Sequence, residues 1–253
     1  MPSVAIPDGE LSYELYGNGS DVVVSGQWTF RVGTYQQLLA ESSDRWRVYA
    51  VTLRGYGTSM PRTPDLGEGW YDTWADDIYC AARAWGLQQF IYTGASHGAG
   101  VGWHLALRHP ESLRSFVSVA GAPKDRTVVR SPEERARAIA ARANGPSPLR
   151  PDWPERPLPQ ARTNDELAAL LTRVHVPTLL IAGARDDIIS LPDTLRALVS
   201  VRGATAVIYE EAGHSVSVDR ASDIVRQFTL FADRDDRRPG DQHHVCSLAD
   251  DAT

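Results

Sequence analysis

The sequence predicts an α/β fold, an eight-stranded and mostly parallel sheet with helices on both faces and a short helical insertion after the sixth strand. Three observations predict it. Short apolar runs alternate with helical segments from about residue 21 onward, the order that right-handed strand–helix–strand crossovers produce. One of these runs, QFIYTG, passes through the glycine-rich turn ASHGAG directly into a helical stretch. The alternation stops between residues 122 and 171, in a segment rich in arginine and proline, and then resumes.

Each element has its own signal. SVAIPDGELSYELYG reads as two strands folded about an Asp8-Gly9 turn, and DVVVSG as a third. A helix near residues 33–43 leads to the strand RVYAVTL, and a helix near 72–85 leads to QFIYTG. The next helix starts at Ser96 and ends near Arg108, before the strand SFVSVAG. Within the insertion, SPEERARAIAARA reads as helical, whereas proline makes NGPSPLRPDWPERPLP irregular. The strand VPTLLIAG, a helix starting near Leu191, the strand ATAVIYE and a last helix ending near Phe231 complete the series. The expected organisation is a core of residues 1–121 and 172–232, a cap at 122–171 and a polar, mobile tail at 233–253.

Composition excludes several functions. With 42% hydrophobic and 23% charged residues the chain is of the globular class, and no apolar run approaches the ~20 residues of a bilayer span. The start, MPSVAIPDGELSYE, lacks a basic segment followed by an apolar stretch and a cleavage site, so the expected location is the cytoplasm. A net charge of −6 argues against a nucleic-acid partner and leaves a small molecule as the expected one, with the oligomeric state open. Cys80 and Cys246 have neither metal-ligand nor disulfide spacing. His243 and His244 lack a carboxylate or thiolate at ligand spacing, so neither metal nor cofactor is expected.

The chemistry is in YTGASHGAG. Gly94-Ala95-Ser96-His97-Gly98 fits G-x-S-x-G between an apolar strand and a helix, the context in which a serine is held on a sharp turn above the sheet edge. Small residues two before and two after the serine must clear the crowded backbone. A phosphate-binding turn is the alternative, but the stretch lacks both G-x-G-x-x-G and a terminal Lys-Ser/Thr pair. A serine becomes a nucleophile when a base takes its proton and a third group orients that base. Candidates for the third group are Asp186, just past the seventh strand, its neighbour Asp187, and more remotely Asp125 after the sixth strand. The candidate base is His214, which follows the eighth strand in VIYEEAGHSVSVD. His97 offers its backbone, His104 and His109 lie on or at the end of the helix after Ser96, and His175 precedes a strand.

These stretches, with TLRGYGTS, VPTLLIAGARDD and EEAGHS, give the chain a resemblance to the α/β-hydrolase fold family over residues 3–232. The resemblance implies a triad in the order Ser96, Asp186, His214, and it favours Asp186 because the family's acid stands in a Gly-x-x-Asp step. It also implies an oxyanion hole made by the backbone N–H groups of Gln27 and His97, with Trp28 the substitute for Gln27 if the loop is shifted by one residue. Two departures bear on loop shape and substrate class: Ser25 replaces the family's histidine before Gly26, and Thr52 replaces an aspartate before Leu53-Arg54-Gly55.

The implied reaction is hydrolysis of a small-molecule carboxylic ester, lactone or thioester through an acyl-enzyme on Ser96. Carbon–carbon bond hydrolysis, perhydrolysis and cyanohydrin cleavage use the same triad, and a ligand receptor that retains the triad is a further alternative. Trp28, Phe30 and Trp153 are candidate pocket walls, or packing residues of the core, and Trp103 is assigned to the core. Residues 122–162 carry nine basic and five acidic side chains, which suits either an anionic substrate or a solvated helix face.

Overall fold

The computed structural model describes residues 1–28, 33–60, 70–123, 161 and 163–236. Its strands are β1 (Ser3–Ile6), β2 (Gly9–Tyr16), β3 (Asp21–Gln27), β4 (Trp46–Thr52), β5 (Phe90–Ala95), β6 (Leu113–Val119), β7 (Thr178–Gly183) and β8 (Thr205–Tyr209). They form one sheet in the order β1-β2-β4-β3-β5-β6-β7-β8. Only the pairings of β2, with β1 and with β4, are antiparallel; the other five are parallel.

The burial of these strands follows from their composition. All six residues of β5 and all six of β7 are buried, as expected of continuous apolar runs with a helical layer on each face. On one face α1 (Tyr35–Ser42) and the C-terminal α7 (Ala221–Asp236) pack Leu39, Ile224 and Phe228 against Val23, Ile91 and Val117. On the other, α2 (Trp70–Ala84) and α3 (His97–Arg108) pack Trp74, Ile78, Val101 and Trp103 against Val24, Tyr92 and Phe116. Trp103 is fully buried, with its indole N–H donating to the Gly121 carbonyl at 2.8 Å. Parallel strands place their C-terminal ends, and the loops that leave them, at one sheet edge.

Two boundaries differ from the sequence reading. The last helix continues past Phe231 to Asp236, because Ala232 is buried beneath it and Asp233 pairs with the Arg45 guanidinium. The final residues of the expected cap form α4 (Asn164–Leu171), capped by Thr163, which buries Leu167 and Leu171 in the same apolar cluster as α2 and α3. Residues 124–160 and 162 of the expected cap, with Trp153, and residues 237–253 of the expected tail lie outside the described residues. Two further helices, α5 (Leu191–Ser200) and the short α6 (Val216–Asp219), follow β7 and β8. No helix among the described residues is long and apolar enough to cross a membrane.

The TLRGYGTS loop joins β4 to this frame through a buried ion pair. Arg54 forks onto Asp77 of α2 at 2.8 and 2.6 Å, with each side chain about 95% buried. Where Thr52 stands, the Ser59 hydroxyl donates to the Thr52 carbonyl at 2.6 Å and accepts the Ser12 amide at 2.9 Å. Removing one partner of a buried pair strands the other charge, at a cost of about 3 kcal/mol. Asp77→Ala is therefore expected to lower the unfolding free energy by that order in urea titrations. The double variant Arg54→Met/Asp77→Leu, which strands no charge, is expected to recover most of it.

Candidate active site

Ser96 sits between the end of β5 and the first residue of α3, with φ 51° and ψ −107°. It is one of two non-glycine residues with positive φ among the described residues, a geometry that costs on the order of 1–3 kcal/mol unless its surroundings enforce it. They do so here. The Ser96 amide donates to the Val119 carbonyl of β6 at 2.7 Å, and the Gly100 amide donates to the Ser96 carbonyl at 3.0 Å. A Cβ on Gly94 would overlap the Gly98 carbonyl group, and a Cβ on Gly98 would overlap the Gly26 carbonyl oxygen. The two glycines of G-x-S-x-G are thus required by backbone contacts, one within the turn and one with the exit of β3.

Asp186 and His214 reach Ser96 from the loops after β7 and β8. The Arg185 amide donates to the Ala212 carbonyl at 2.9 Å and ties the two loops together. His214 Nδ1 lies 2.9 Å from Asp186 Oδ2 and 3.1 Å from Oδ1, and His214 Nε2 lies 2.9 Å from Ser96 Oγ. Asp186 Oδ1 also accepts the amides of Ile188 and Ile189, both at 2.8 Å. Burial of the carboxyl, 1% exposed, would raise its pKa, but the His214 hydrogen bond and these two amides outweigh burial and hold Asp186 below the usual carboxylate range. An ionised Asp186 accepts from Nδ1–H, which assigns the His214 tautomer and leaves the Nε2 lone pair facing the Ser96 hydroxyl. Asp187 is exposed, while Asp125 lies outside the described residues.

Gln27 and His97 flank Ser96 from the exit of β3 and the start of α3. The contact of the Gly26 carbonyl with Gly98 sets the first of these against the second. Sequence reasoning used only the backbone of His97, yet its ring is the centre of an aromatic cluster. Trp28 stacks on it with centroids 5.5 Å apart and planes 13° apart, Trp74 meets it edge-on at 4.7 Å, and Tyr71 Oη lies 3.1 Å from Nδ1. Burial pushes its pKa down to about 3, so the imidazole beside Ser96 is neutral at pH 7. The signal for this cluster was the i, i+3 spacing of Tyr71 and Trp74 on α2. His104 and His109 instead pair with Asp72 and Asp76 of α2, at 2.6 and 2.7 Å. Trp28 is half-buried over His97, and Phe30 lies outside the described residues. Among the described residues no group of three or more His, Cys, Asp or Glu side chains is arranged to hold a metal ion.

The sequence profile of the α/β hydrolase fold matches residues 24–144, which include the end of β3, all of β4 and the Ser96 turn. The chain has the α/β-hydrolase fold. This α/β-hydrolase is 26% identical, over 87% of its length and 98% of the relative's, to a pimeloyl-[acyl-carrier protein] methyl ester esterase of Aeromonas hydrophila subsp. hydrophila. The enzyme of the same name from Shewanella woodyi is 33% identical over 45% of this chain but only 40% of its own length. Among solved structures, a meta-cleavage product hydrolase from Pseudomonas fluorescens superposes with a TM-score of 0.69 at 19% identity, covering 92% of this chain and 98% of that one.

Two outcomes follow from this geometry. Gly98→Ala is expected to push the β3 exit off the first turn of α3 and to lower kcat/KM by about 100-fold, since misplacing a catalytic group by about 1 Å costs that much. The second concerns stability. An unfolded chain protonates His97 near pH 6.5, while the folded chain resists down to about 3, so in this window the unfolded state binds more protons and stability falls as pH falls. Urea titrations at pH 7.5 and 5.0 are expected to show His97→Phe sparing about 2 kcal/mol of the loss the wild type suffers over that interval.

Proposed function

We propose that this α/β-hydrolase is a serine-dependent carboxylic ester hydrolase, with Ser96 as nucleophile, His214 as general base and then general acid, and Asp186 as the group that orients His214. One observation carries the reading: an unbroken line of hydrogen bonds from the Ile188 and Ile189 amides through Asp186 and His214 to the hydroxyl of a serine held at positive φ. In the first step Ser96 Oγ bonds to the ester carbonyl carbon as its proton passes to His214 Nε2. The resulting imidazolium is stabilised by Asp186, and the oxyanion is met by the backbone N–H groups of Gln27 and His97. The carbon–alkoxy bond then breaks, and the alcohol leaves with the proton from His214. Water repeats the sequence on the acyl-enzyme, giving its proton to His214 and releasing the carboxylic acid and Ser96. The neutral state of His97 suits this arrangement, because its ring adds no fixed charge beside the nucleophile.

The Aeromonas and Shewanella relatives are named for a methyl ester carried on acyl-carrier protein, so methyl esters, a pimeloyl methyl ester among them, are the first substrates to compare with longer alkyl esters, lactones and thioesters. On whichever ester is turned over, Ser96→Ala and His214→Ala are expected to lose at least about ten-thousand-fold in kcat. Asp186→Asn is expected to lose about a hundredfold or more, and Asp187→Asn to stay within twofold of the wild type. Measurable turnover by Ser96→Ala, or equal losses at the two aspartates, would contradict the assignment.

A further inference from the structure

An oxyanion hole works only if its donors are held within about 0.5 Å of the required position. The strand that delivers Gln27 is well fixed as far as residue 26. Gln36 of α1 donates from Nε2 to Ser25 Oγ at 3.1 Å, and Tyr35 Oη lies 2.9 Å from Thr93 Oγ1 on the neighbouring strand, all in a buried setting. At Gln27 the sheet ends. Its carbonyl accepts the Leu53 amide at 2.9 Å, which holds it to β4 on one side. Towards Ser96, the tie is made by its side chain. Gln27 Nε2 donates to the carbonyl of Ala95, the residue before Ser96, at 3.3 Å across 68 positions of sequence. The other end of the amide, Oε1, is buried and lies 3.2 Å from where a Cβ on Gly98 would stand, with no hydrogen-bond donor of its own among the described residues. The carbonyl dipole of the side chain is thus placed at the first turn of α3, where partial positive charge favours it. One side chain spans the two segments that would supply the oxyanion donors.

We propose that the Gln27 side chain is a positioning residue: by bridging the exit of β3 to the Ala95 carbonyl it holds the Gln27 backbone amide in register with Ser96 and His97. This rests on the reading of Ser96 as an activated nucleophile, and it assigns to the side chain a role separate from that of the backbone N–H. A side chain that only fills space would be replaced by methionine, of similar length and volume, without kinetic effect.

The test measures covalent inactivation by a fluorophosphonate, resolving the limiting rate at saturation from the concentration giving half that rate. Gln27→Met retains the backbone N–H and loses the bridge. It is expected to slow the limiting rate by roughly 10–100-fold, to leave the half-saturating concentration within about threefold, and to unfold in urea near the wild-type midpoint. An unchanged limiting rate, or a loss confined to half-saturation, would overturn the proposal. If Gln27→Met does not fold, Gln27→Glu, which keeps the shape and replaces the donor with a carboxylate, is judged by the same two parameters. A wild type that does not react would remove the nucleophile reading itself, whereas a reactive wild type with an equally fast variant removes the bridge alone.

Discussion

The site depends on one close backbone contact, that of the Gly26 carbonyl at the end of β3 against Gly98 in the first turn of α3. No side chain beyond hydrogen is accommodated there. The contact draws the β3 exit onto the helix that begins at Ser96, and the parallel register of β3, β5, β6 and β7 brings the remaining loops to the same edge. Gly94 makes the turn itself possible, and the Val119 carbonyl and Gly100 amide hold Ser96 at positive φ within it. Strain at the candidate nucleophile is therefore sustained by ordinary sheet and helix hydrogen bonds on either side, not by the triad.

Around that contact the charges are sorted by environment. Asp186 is buried yet kept ionised, because three hydrogen bonds converge on a carboxylate that solvent barely reaches. His97, one residue from Ser96, is kept neutral by the rings of Trp28, Tyr71 and Trp74. Two histidines near one serine are thus assigned opposite parts. His214 contacts the Asp186 carboxylate, while His97 is enclosed by aromatic rings that hold it neutral. The distinction arises from partners contributed by α2 and by the β7 loop, not from the imidazoles themselves.

Most of the frame was legible in the sequence because its signals are local. The alternation of VVV, YAV, FIY, FVSV and LLIA runs with helical segments specifies a parallel sheet, and G-x-S-x-G after FIYT marks the turn by the steric needs of its own backbone. Asp186, His214 and Ser96 were legible because the loop that carries each is set by the strand before it, and the structure brings the three within hydrogen-bond distance. The aromatic enclosure of His97 and the bridge from Gln27 to Ala95 were not, since they join residues 20 to 70 positions apart through side-chain geometry that no local pattern encodes. The end of α7 was missed for a related reason: DRDD reads as a polar tail until Arg45 is seen to pair with Asp233.

The most direct measurement is to map the covalent adduct that a fluorophosphonate leaves on the protein, by intact mass and then by peptide mass spectrometry, on the wild type and on His214→Ala. A single adduct on the peptide that carries Ser96, present in the wild type and lost in His214→Ala, is the result expected of a serine activated by His214. An adduct on any other residue, or none on a preparation that hydrolyses esters, would contradict it.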